Sequence, residues 1–231
     1  MDIINSPSPN WDERGRPVDM IVLHYTGMVS GQAALDRLRS AEAKVSAHYL
    51  VMEEGAVHQL VDEENRAWHA GVSSWQGDTE TNARSIGIEI VNPGHEWGYR
   101  AFPERQIASV EALVAGIAKR TSVCPSLVIG HSDVAPLRKE DPGELFPWAR
   151  LAEKGLCVAP FTGNADPSLD YMQAIEALRE IGYDAPDRAH GAAVLAFQRH
   201  FCPQDLGQSL SPLTRTAISA VLDETRKLRS R

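Results

Sequence analysis

Cysteine is scarce in this chain of 231 residues, and basic side chains are fewer than acidic ones. The three cysteines, Cys124, Cys157 and Cys202, are widely spaced and form no Cys-x-x-Cys pair, so the sequence indicates neither a zinc ribbon nor a disulfide framework. Lys and Arg total 23 against 31 Asp and Glu, a net charge of −8. This balance argues against nucleic acid or an anionic membrane as partner and favours a small uncharged or amphoteric ligand.

Long hydrophobic runs are also lacking. No apolar stretch approaches the roughly 20 residues that a membrane span requires, so no transmembrane anchor is predicted. The first 19 residues contain prolines and charged residues without an apolar core, and they do not resemble an export signal. We therefore expect a cytoplasmic protein, with the periplasm as the alternative.

What is present is an ordinary globular composition, 43% hydrophobic, whose patterning predicts an α/β fold. We expect a mixed central β-sheet covered by helices, because strand-like and helix-like segments alternate and one hairpin is indicated. The predicted elements are strands at Met20–Thr26, Ala47–Met52, Val57–Val61, Ile86–Val91 and Leu127–Ile129, helices at Gly31–Ala41 and Pro103–Arg120, and a surface loop at His69–Ser85.

The composition changes near Ala159–Ser168, where prolines and glycine predict a linker. Three short helices are predicted beyond it, at Tyr171–Ile181, Ala192–His200 and Thr214–Leu222. We expect two domains, a larger one at 1–160 and a small all-α three-helix C-terminal domain at 165–231.

The segment Gly130–Gly143 carries the residue types of a hydrolytic metal centre. It places an imidazole, a lysine and carboxylates just beyond the apolar run Leu127–Ile129. Nitrogen and carboxylate ligands can hold a Lewis acid, and a nearby cation can meet negative charge that develops on a substrate. His24 ends another apolar run, so two strands that end side by side would bring His24 and His131 together. A hydrogen-bonded structural role for each histidine is the competing interpretation.

Five motifs, in this order, resemble the zinc-dependent N-acetylmuramoyl-L-alanine amidases of the amidase-2 type. They are Leu23-His24-Tyr25-Thr26, Ser46-Ala47-His48-Tyr49, Ala67-Trp68-His69-Ala70-Gly71, Ser85-Ile86-Gly87-Ile88-Glu89-Ile90, and Gly130-His131-Ser132-Asp133 with Lys139-Glu140-Asp141-Pro142-Gly143. The resemblance covers about 21–151. Residues 92–103 resemble the subgroup that accepts both anhydro and ordinary muropeptides. Val194–Phe201 and Leu213–Thr216 resemble a peptidoglycan-binding three-helix module, although few of the glycine and aspartate residues typical of that module are present.

The resemblance implies one zinc ion held by His24, His131 and Asp141, with water in the fourth position. It implies hydrolysis of the amide between (anhydro-)N-acetylmuramic acid and L-alanine in muropeptides or peptidoglycan, for cell-wall recycling or remodelling. No protein partner is implied.

Glu89 and Lys139 are the predicted catalytic residues. A carboxylate on the apolar strand of Glu89 is costly unless it has a partner or a task, so we assign Glu89 as general base. In an extended segment Lys139 points the same way as Asp141 and can stabilise the oxyanion. The competing interpretations are a salt bridge from Glu89 to Arg84 or Arg105, and a solvated turn in which Lys139 lies beside Arg138 and Glu140.

Three further residues in the motifs are substrate-binding candidates: His48, Trp68 and His69. The histidines are either structural or face the substrate, and Trp68 is either core or a surface on which a sugar stacks. Asp133 is expected to orient a ligand.

Two other functions remain open at this point. One is a muropeptide-binding receptor on the same fold, although such proteins lack at least one metal ligand. The other is a zinc carboxypeptidase that acts within the stem peptide and does not need the sugar.

Overall fold

A mixed six-stranded β-sheet forms the centre of the computed structural model, which describes residues 2–186 and 190–230. The strands are β1 (Ile3–Asn5), β2 (Trp11–Glu13), β3 (Met20–Tyr25), β4 (Tyr49–Val51), β5 (Val57–Gln59), β6 (Asn65–Ala67), β7 (Ser85–Ile90) and β8 (Val128–Gly130). The helices are α1 (Gly31–Arg39), α2 (Thr81–Arg84), α3 (Gly94–Trp97), α4 (Glu104–Thr121), α5 (His131–Val134), α6 (Trp148–Glu153), α7 (Tyr171–Ile181), α8 (His190–Phe201) and α9 (Pro212–Arg229).

The strand order is β1-β5-β4-β7-β3-β8. Strands β4, β7, β3 and β8 run parallel, whereas β5 runs antiparallel to β4 and pairs with β1 in parallel. Strands β2 and β6 form a separate antiparallel pair. The predicted α/β fold with a mixed sheet is confirmed, as is the predicted hairpin of β4 and β5. Because β3, β7 and β8 are parallel, their carboxyl ends lie at one edge of the sheet.

Strand β3 shows how the two faces of the sheet are buried. Ile21 and Leu23 pack in one hydrophobic cluster with α4 residues such as Val110 and Leu113. Met20 and Val22 belong to a different cluster, because alternate residues of a strand point to opposite faces. His24 follows Val22 on that second face.

The three C-terminal helices α7, α8 and α9 cover this second face. Met20, Val22 and Ile129 share one cluster with residues of these helices, among them Phe197, whose side chain is completely buried. The helices are therefore packed against the sheet and complete its core on this side. Independent folding of 165–231 stays a prediction.

Two sequence expectations need correction. The segment predicted as a surface loop, His69–Ser85, contains the short helix α2 and the buried Trp75. The last helix is longer than predicted, because Ser211 caps it and Pro212 occupies its first turn, while its polar final turns carry no apolar stripe. Among the described residues, no helix combines the length and the apolarity that crossing a bilayer demands.

Candidate metal centre and active site

Three side chains predicted as metal ligands meet at the carboxyl edge of the sheet. His24 lies near the end of β3, and His131 begins α5 directly after β8. His24 Nδ1 lies 2.8 Å from His131 Nδ1 and 3.1 Å from one oxygen of Asp141, and His131 Nδ1 lies 3.0 Å from the same oxygen. All three residues are buried. The sheet topology thus brings the three predicted ligand atoms into one small triangle.

The outer nitrogen of each imidazole determines which lone pair faces this triangle. His131 Nε2 lies 3.0 Å from the carbonyl oxygen of Ala70, an acceptor, so Nε2 carries the proton and donates. His24 Nε2 lies 3.1 Å from Nδ1 of His69. The direction of that second bond follows from the surroundings of His69.

His69 is held by Ser85, which fixes its tautomer. The Ser85 hydroxyl donates to the carbonyl of Thr81 at 2.6 Å, so Ser85 Oγ accepts from His69 Nε2 at 3.2 Å. His69 Nδ1 is then an acceptor, and His24 Nε2 donates to it. In the neutral forms of His24 and His131, the Nδ1 atoms therefore both present lone pairs to the triangle.

Gly87 makes room for this arrangement. A Cβ atom at Gly87 would lie 2.4 Å from the His69 ring, a distance that real Cβ atoms do not show. Gly87 and Glu89 are two residues apart on β7 and therefore lie on the same face of the strand. The imidazole of His69 packs on this face, beside Glu89. Only glycine allows the ring to approach the strand this closely.

The pKa values of His24 and Asp141 are shifted in the direction that leaves their lone pairs free to bind a cation. Burial, together with His131, lowers the pKa of His24 to about 4, so this imidazole is neutral near pH 7. Burial raises the pKa of Asp141, but the neighbouring His131 and His24 outweigh it and hold the pKa below its ordinary value. Two imidazole nitrogens and a carboxylate oxygen, all atoms that can give a lone pair to a cation, therefore converge at one point, which favours a bound metal ion.

Beside the triangle lies a cleft of about 310 Å³. Glu89 lines it and sits in register with His24 across the β3–β7 pair, so both side chains project from the same face. Glu89 Oε2 is buried without a hydrogen-bond partner among the described residues. Burial, reinforced by Asp141, raises the pKa of Glu89 well above its ordinary value.

The competing interpretation of Glu89 as half of a salt bridge does not fit this geometry. Arg84 binds Asp19 at 2.7 Å instead. Within residues 2–186 and 190–230, Glu89 forms no ion pair with Arg105 either. A carboxylate without a partner that faces a cleft is available to a proton of a bound molecule.

Lys139 also lines the cleft, together with Asp141 and His131. Its neighbour Arg138 does not line the cleft but donates to the carbonyl of Val72 at 2.8 Å and to that of Ala70, the carbonyl that also accepts from His131. The two adjacent cations therefore differ, since Arg138 holds a backbone loop and Lys139 faces the cleft.

The three substrate-binding candidates have different positions. Trp68 and His69 line the cleft, but His69 also holds His24. His48 is completely buried; its Nδ1 accepts from the Gly87 N–H at 2.9 Å, and Arg14 approaches its Nε2. A substrate contact for His48 does not fit this position. The ring is buried because it binds groups that are distant in the sequence, such as the Gly87 N–H, and no local sequence pattern indicates such contacts.

Sequence reasoning missed two residues of the cleft. Arg37 on α1 lines it, with an exposed side chain. Tyr25 lines it next to His24, and burial together with Asp141 raises its pKa to about 12. An arginine on the polar side of an amphipathic helix gives no signal in the sequence, whereas Tyr25 stood in a motif without an assigned role.

Comparison with known proteins identifies the family of this chain. The Amidase_2 family, described as N-acetylmuramoyl-L-alanine amidase, matches residues 14–144. The N-acetylmuramoyl-L-alanine amidase AmiD of Escherichia coli is 34% identical over 90% of this chain and 83% of its own length. The 1,6-anhydro-N-acetylmuramyl-L-alanine amidase AmpD of Haemophilus influenzae is 32% identical over 62% of this chain and 86% of its own length.

Solved structures agree over nearly the whole chain. The complex of E. coli AmiD with the substrate anhydro-N-acetylmuramic acid-L-Ala-D-γ-Glu-L-Lys has a TM-score of 0.80 at 32% identity, covering 92% of this chain and 90% of that one. AmpDh3 of Pseudomonas aeruginosa in complex with anhydromuramic pentapeptide has the same TM-score and identity, covering 95% of both chains. With its matched family region and its converging His24, His131 and Asp141, this chain belongs to the Amidase_2 family of N-acetylmuramoyl-L-alanine amidases.

Proposed function

We propose that this protein is a zinc-dependent hydrolase that cleaves the amide bond between (anhydro-)N-acetylmuramic acid and the L-alanine of the stem peptide. The observation that carries the proposal is the triangle of His24, His131 and Asp141 beside a cleft lined by Glu89 and Lys139. The relatives with bound anhydromuramyl peptides support the substrate class.

The donor set fits zinc. Two imidazole nitrogens and one carboxylate oxygen are the ligands of open catalytic zinc sites, which leave one position free. Bonds of about 2.0–2.1 Å in tetrahedral geometry place ligand atoms roughly 3.3 Å apart. The observed separations of 2.8, 3.1 and 3.0 Å approach this value. His24, His131 and Asp141 would hold the ion through Nδ1, Nδ1 and a carboxylate oxygen.

Zinc bound there supplies a Lewis acid that lowers the pKa of water and polarises a carbonyl. Glu89 then has a proton to move. Its free oxygen accepts a proton from the attacking water, and the raised pKa makes the carboxylate a stronger base than an ordinary glutamate. The same oxygen later donates that proton to the alanine nitrogen, so that the C–N bond breaks and an amine leaves.

Lys139 stabilises the negative charge that forms on the substrate oxygen during the reaction. As water adds to the lactyl carbonyl, the carbonyl oxygen becomes negative, and the ammonium of Lys139 at the cleft stabilises it. When the C–N bond breaks, the electron pair on that oxygen re-forms the carbonyl of a lactyl carboxylic acid, and Glu89, having given its proton to nitrogen, is a carboxylate again. Water has then supplied the hydroxyl to carbon and a proton to nitrogen, and the new acid passes its own proton to the amine, which gives a carboxylate and an ammonium.

The sugar, the C-terminal helices and the cellular location each have a proposed part in this function. Trp68 at the cleft offers an aromatic surface on which a sugar ring can stack. The helices α7, α8 and α9 act as the peptidoglycan-binding module that the sequence predicted. Cell-wall recycling or remodelling is the biological role, and the cytoplasm, with the periplasm as alternative, stays a prediction.

The test is incubation with defined anhydro and reduced muropeptides, with and without chelator, followed by mass identification of the products. Release of an L-alanyl peptide that stops with chelator and returns with zinc is the expected result. Binding without cleavage would favour the receptor function. Loss of a terminal amino acid from a free peptide would favour the carboxypeptidase.

A further inference from the structure

Two consecutive residues of α8 reach the two chain segments that carry the ligands His131 and Asp141. His200 binds Asp133, two residues after His131, and Arg199 binds Glu140, directly before Asp141. Both contacts join residues more than 50 positions apart. The helix therefore touches the metal-ligand region from outside the matched amidase region.

The Asp133 carboxylate is completely buried and fully engaged. One oxygen accepts from the Gly130 N–H and from His200 Nδ1, both at 2.7 Å. The other oxygen accepts from the hydroxyl of Tyr183 at 2.6 Å. Two of these three donors come from the C-terminal helical region, and the third caps the helix that His131 begins.

The ring of His200 is itself fixed in place. It stacks on Trp148 and on Phe201, with centroid distances of 3.7 Å to each. Its Nδ1–H therefore points at Asp133 from a rigid platform, since the stacked ring has little freedom to rotate.

Arg199 holds the other segment. Its guanidinium lies 3.3 Å from a carboxylate oxygen of Glu140 and 3.4 Å from one of Glu144. The side chain of Arg199 is only 8% exposed, so these ion pairs are less screened than surface pairs. They attach the segment around Asp141 to the same helix turn that holds Asp133.

These segments contain little regular secondary structure, although they bind each other through the Ser132 N–H and the Asp141 carbonyl at 2.9 Å. Helix α5 has only four residues, far below the length at which a helix is stable alone. No helix or strand is assigned between Ala135 and Pro147. Contacts from other parts of the chain, such as α8, therefore add to these local bonds in fixing the positions of His131 and Asp141.

We propose that α8 is part of the metal site, with His200 and Arg199 as positioning residues that hold the ligand segments through Asp133 and Glu140. The inference rests on the proposed function, since it concerns how tightly the triangle binds zinc. It assigns the C-terminal helices a task in addition to binding peptidoglycan. Groups that bind a metal ligand directly typically contribute 10–100-fold in metal affinity, and because His200 and Arg199 act one residue further out, we expect effects near the lower end of this range.

The test separates the ring of His200 from its N–H donor. His200→Phe keeps an aromatic ring and removes the donor, whereas His200→Asn keeps a donor at the δ position and removes the ring. Zinc affinity is measured by competition with a chromophoric chelator, and the site geometry by the visible spectrum of the cobalt-substituted protein. We expect His200→Phe to weaken zinc about 10-fold or more and His200→Asn to stay within about 3-fold of wild type.

Arg199→Gln provides an independent variant that leaves the core intact. We expect it to weaken zinc about 3- to 10-fold and to shift the cobalt spectrum. The control is Val221→Ala on α9, which lowers stability through a buried contact but touches neither ligand segment.

Each outcome decides one question. If His200→Phe and Arg199→Gln bind zinc as wild type does, or if Val221→Ala weakens zinc equally at a matched loss of Tm, the positioning role is wrong. If the wild-type chain binds no zinc, the proposed function fails, and this inference fails with it.

Discussion

Nε2 of His24 donates to Nδ1 of His69 across 3.1 Å, and His69 is held in turn by Ser85. A histidine in the motif Ala67–Gly71 therefore sets the tautomer of a proposed metal ligand 45 positions away. The relationship gives His69 a definite task that a place at the cleft alone would not.

The first prediction concerns this bond. His69→Phe removes the acceptor for His24 Nε2, so His24 can turn its N–H toward the metal, and we expect zinc affinity to fall about 10–100-fold. Competition with a chelator measures it. Ser73→Ala, which removes a buried hydroxyl outside this chain of bonds, is the control. Unchanged zinc affinity in His69→Phe would show that the bond has no part in ligand orientation.

The second prediction concerns Glu89. Glu89→Gln keeps the shape of the side chain but cannot accept a proton, so kcat should fall at least ~100-fold with zinc content unchanged. Turnover of an anhydromuropeptide and metal analysis of the same sample provide the two readings. Glu111→Gln, in the remote ion pair with Arg150, is the control. A rate within a few-fold of wild type would make Glu89 a structural residue.

The third prediction concerns Lys139. Lys139→Met removes the charge and keeps the length, and we expect kcat to fall about 10²- to 10³-fold, the usual cost of losing one oxyanion donor. KM and zinc affinity should change little. The control is Lys119→Met on α4, an exposed lysine far along the chain. A loss of zinc with kcat unaffected in the loaded fraction would contradict the oxyanion role.

The fourth prediction concerns acid stability. Burial and Arg14 lower the pKa of His48 to about 3 from 6.5, so the folded chain keeps this imidazole neutral while the unfolded chain protonates it below 6.5. Its contribution to stability is complete above pH 6.5 and is lost as the pH falls toward 3. Urea unfolding with chelator at pH 7.5 and pH 5 should show a smaller loss for His48→Gln than for wild type. Equal losses of stability in the variant and the wild type would contradict the lowered pKa of His48.

The fifth prediction concerns the shared core. Phe197→Ala should lower the free energy of unfolding by about 3–5 kcal/mol, because the side chain is completely buried in the cluster that includes Met20 and Val22. Urea unfolding followed by fluorescence and by circular dichroism should give one coincident transition. Met172→Ala, at a position 59% exposed on α7, should change stability by less than about 0.5 kcal/mol. Two separate transitions would instead support independent domains.

The sequence alone was sufficient for the longer strands and helices, and the family resemblance was sufficient for the residues of the triangle. Strand β3 was predictable because its apolar run is local and continuous, and helix α4 because its apolar residues recur at helical spacing. The resemblance to the amidases implied His24, His131 and Asp141 as ligands, and the structure brings these three side chains together. The helix α2 was not predictable, since four residues after a glycine-rich segment leave no periodicity.

The sequence by itself determined which chemical groups the protein has and roughly where each strand and helix lies, because hydrophobic periodicity and motif order are local properties. Only the tertiary structure decided which nitrogen of each imidazole faces the triangle, that His48 is buried while His69 holds His24, and that α8 reaches Asp133. The physical reason is distance along the chain. Asp133 and His200 are 67 positions apart, and a hydrogen bond between them depends on how helices pack on a sheet, which no local pattern records.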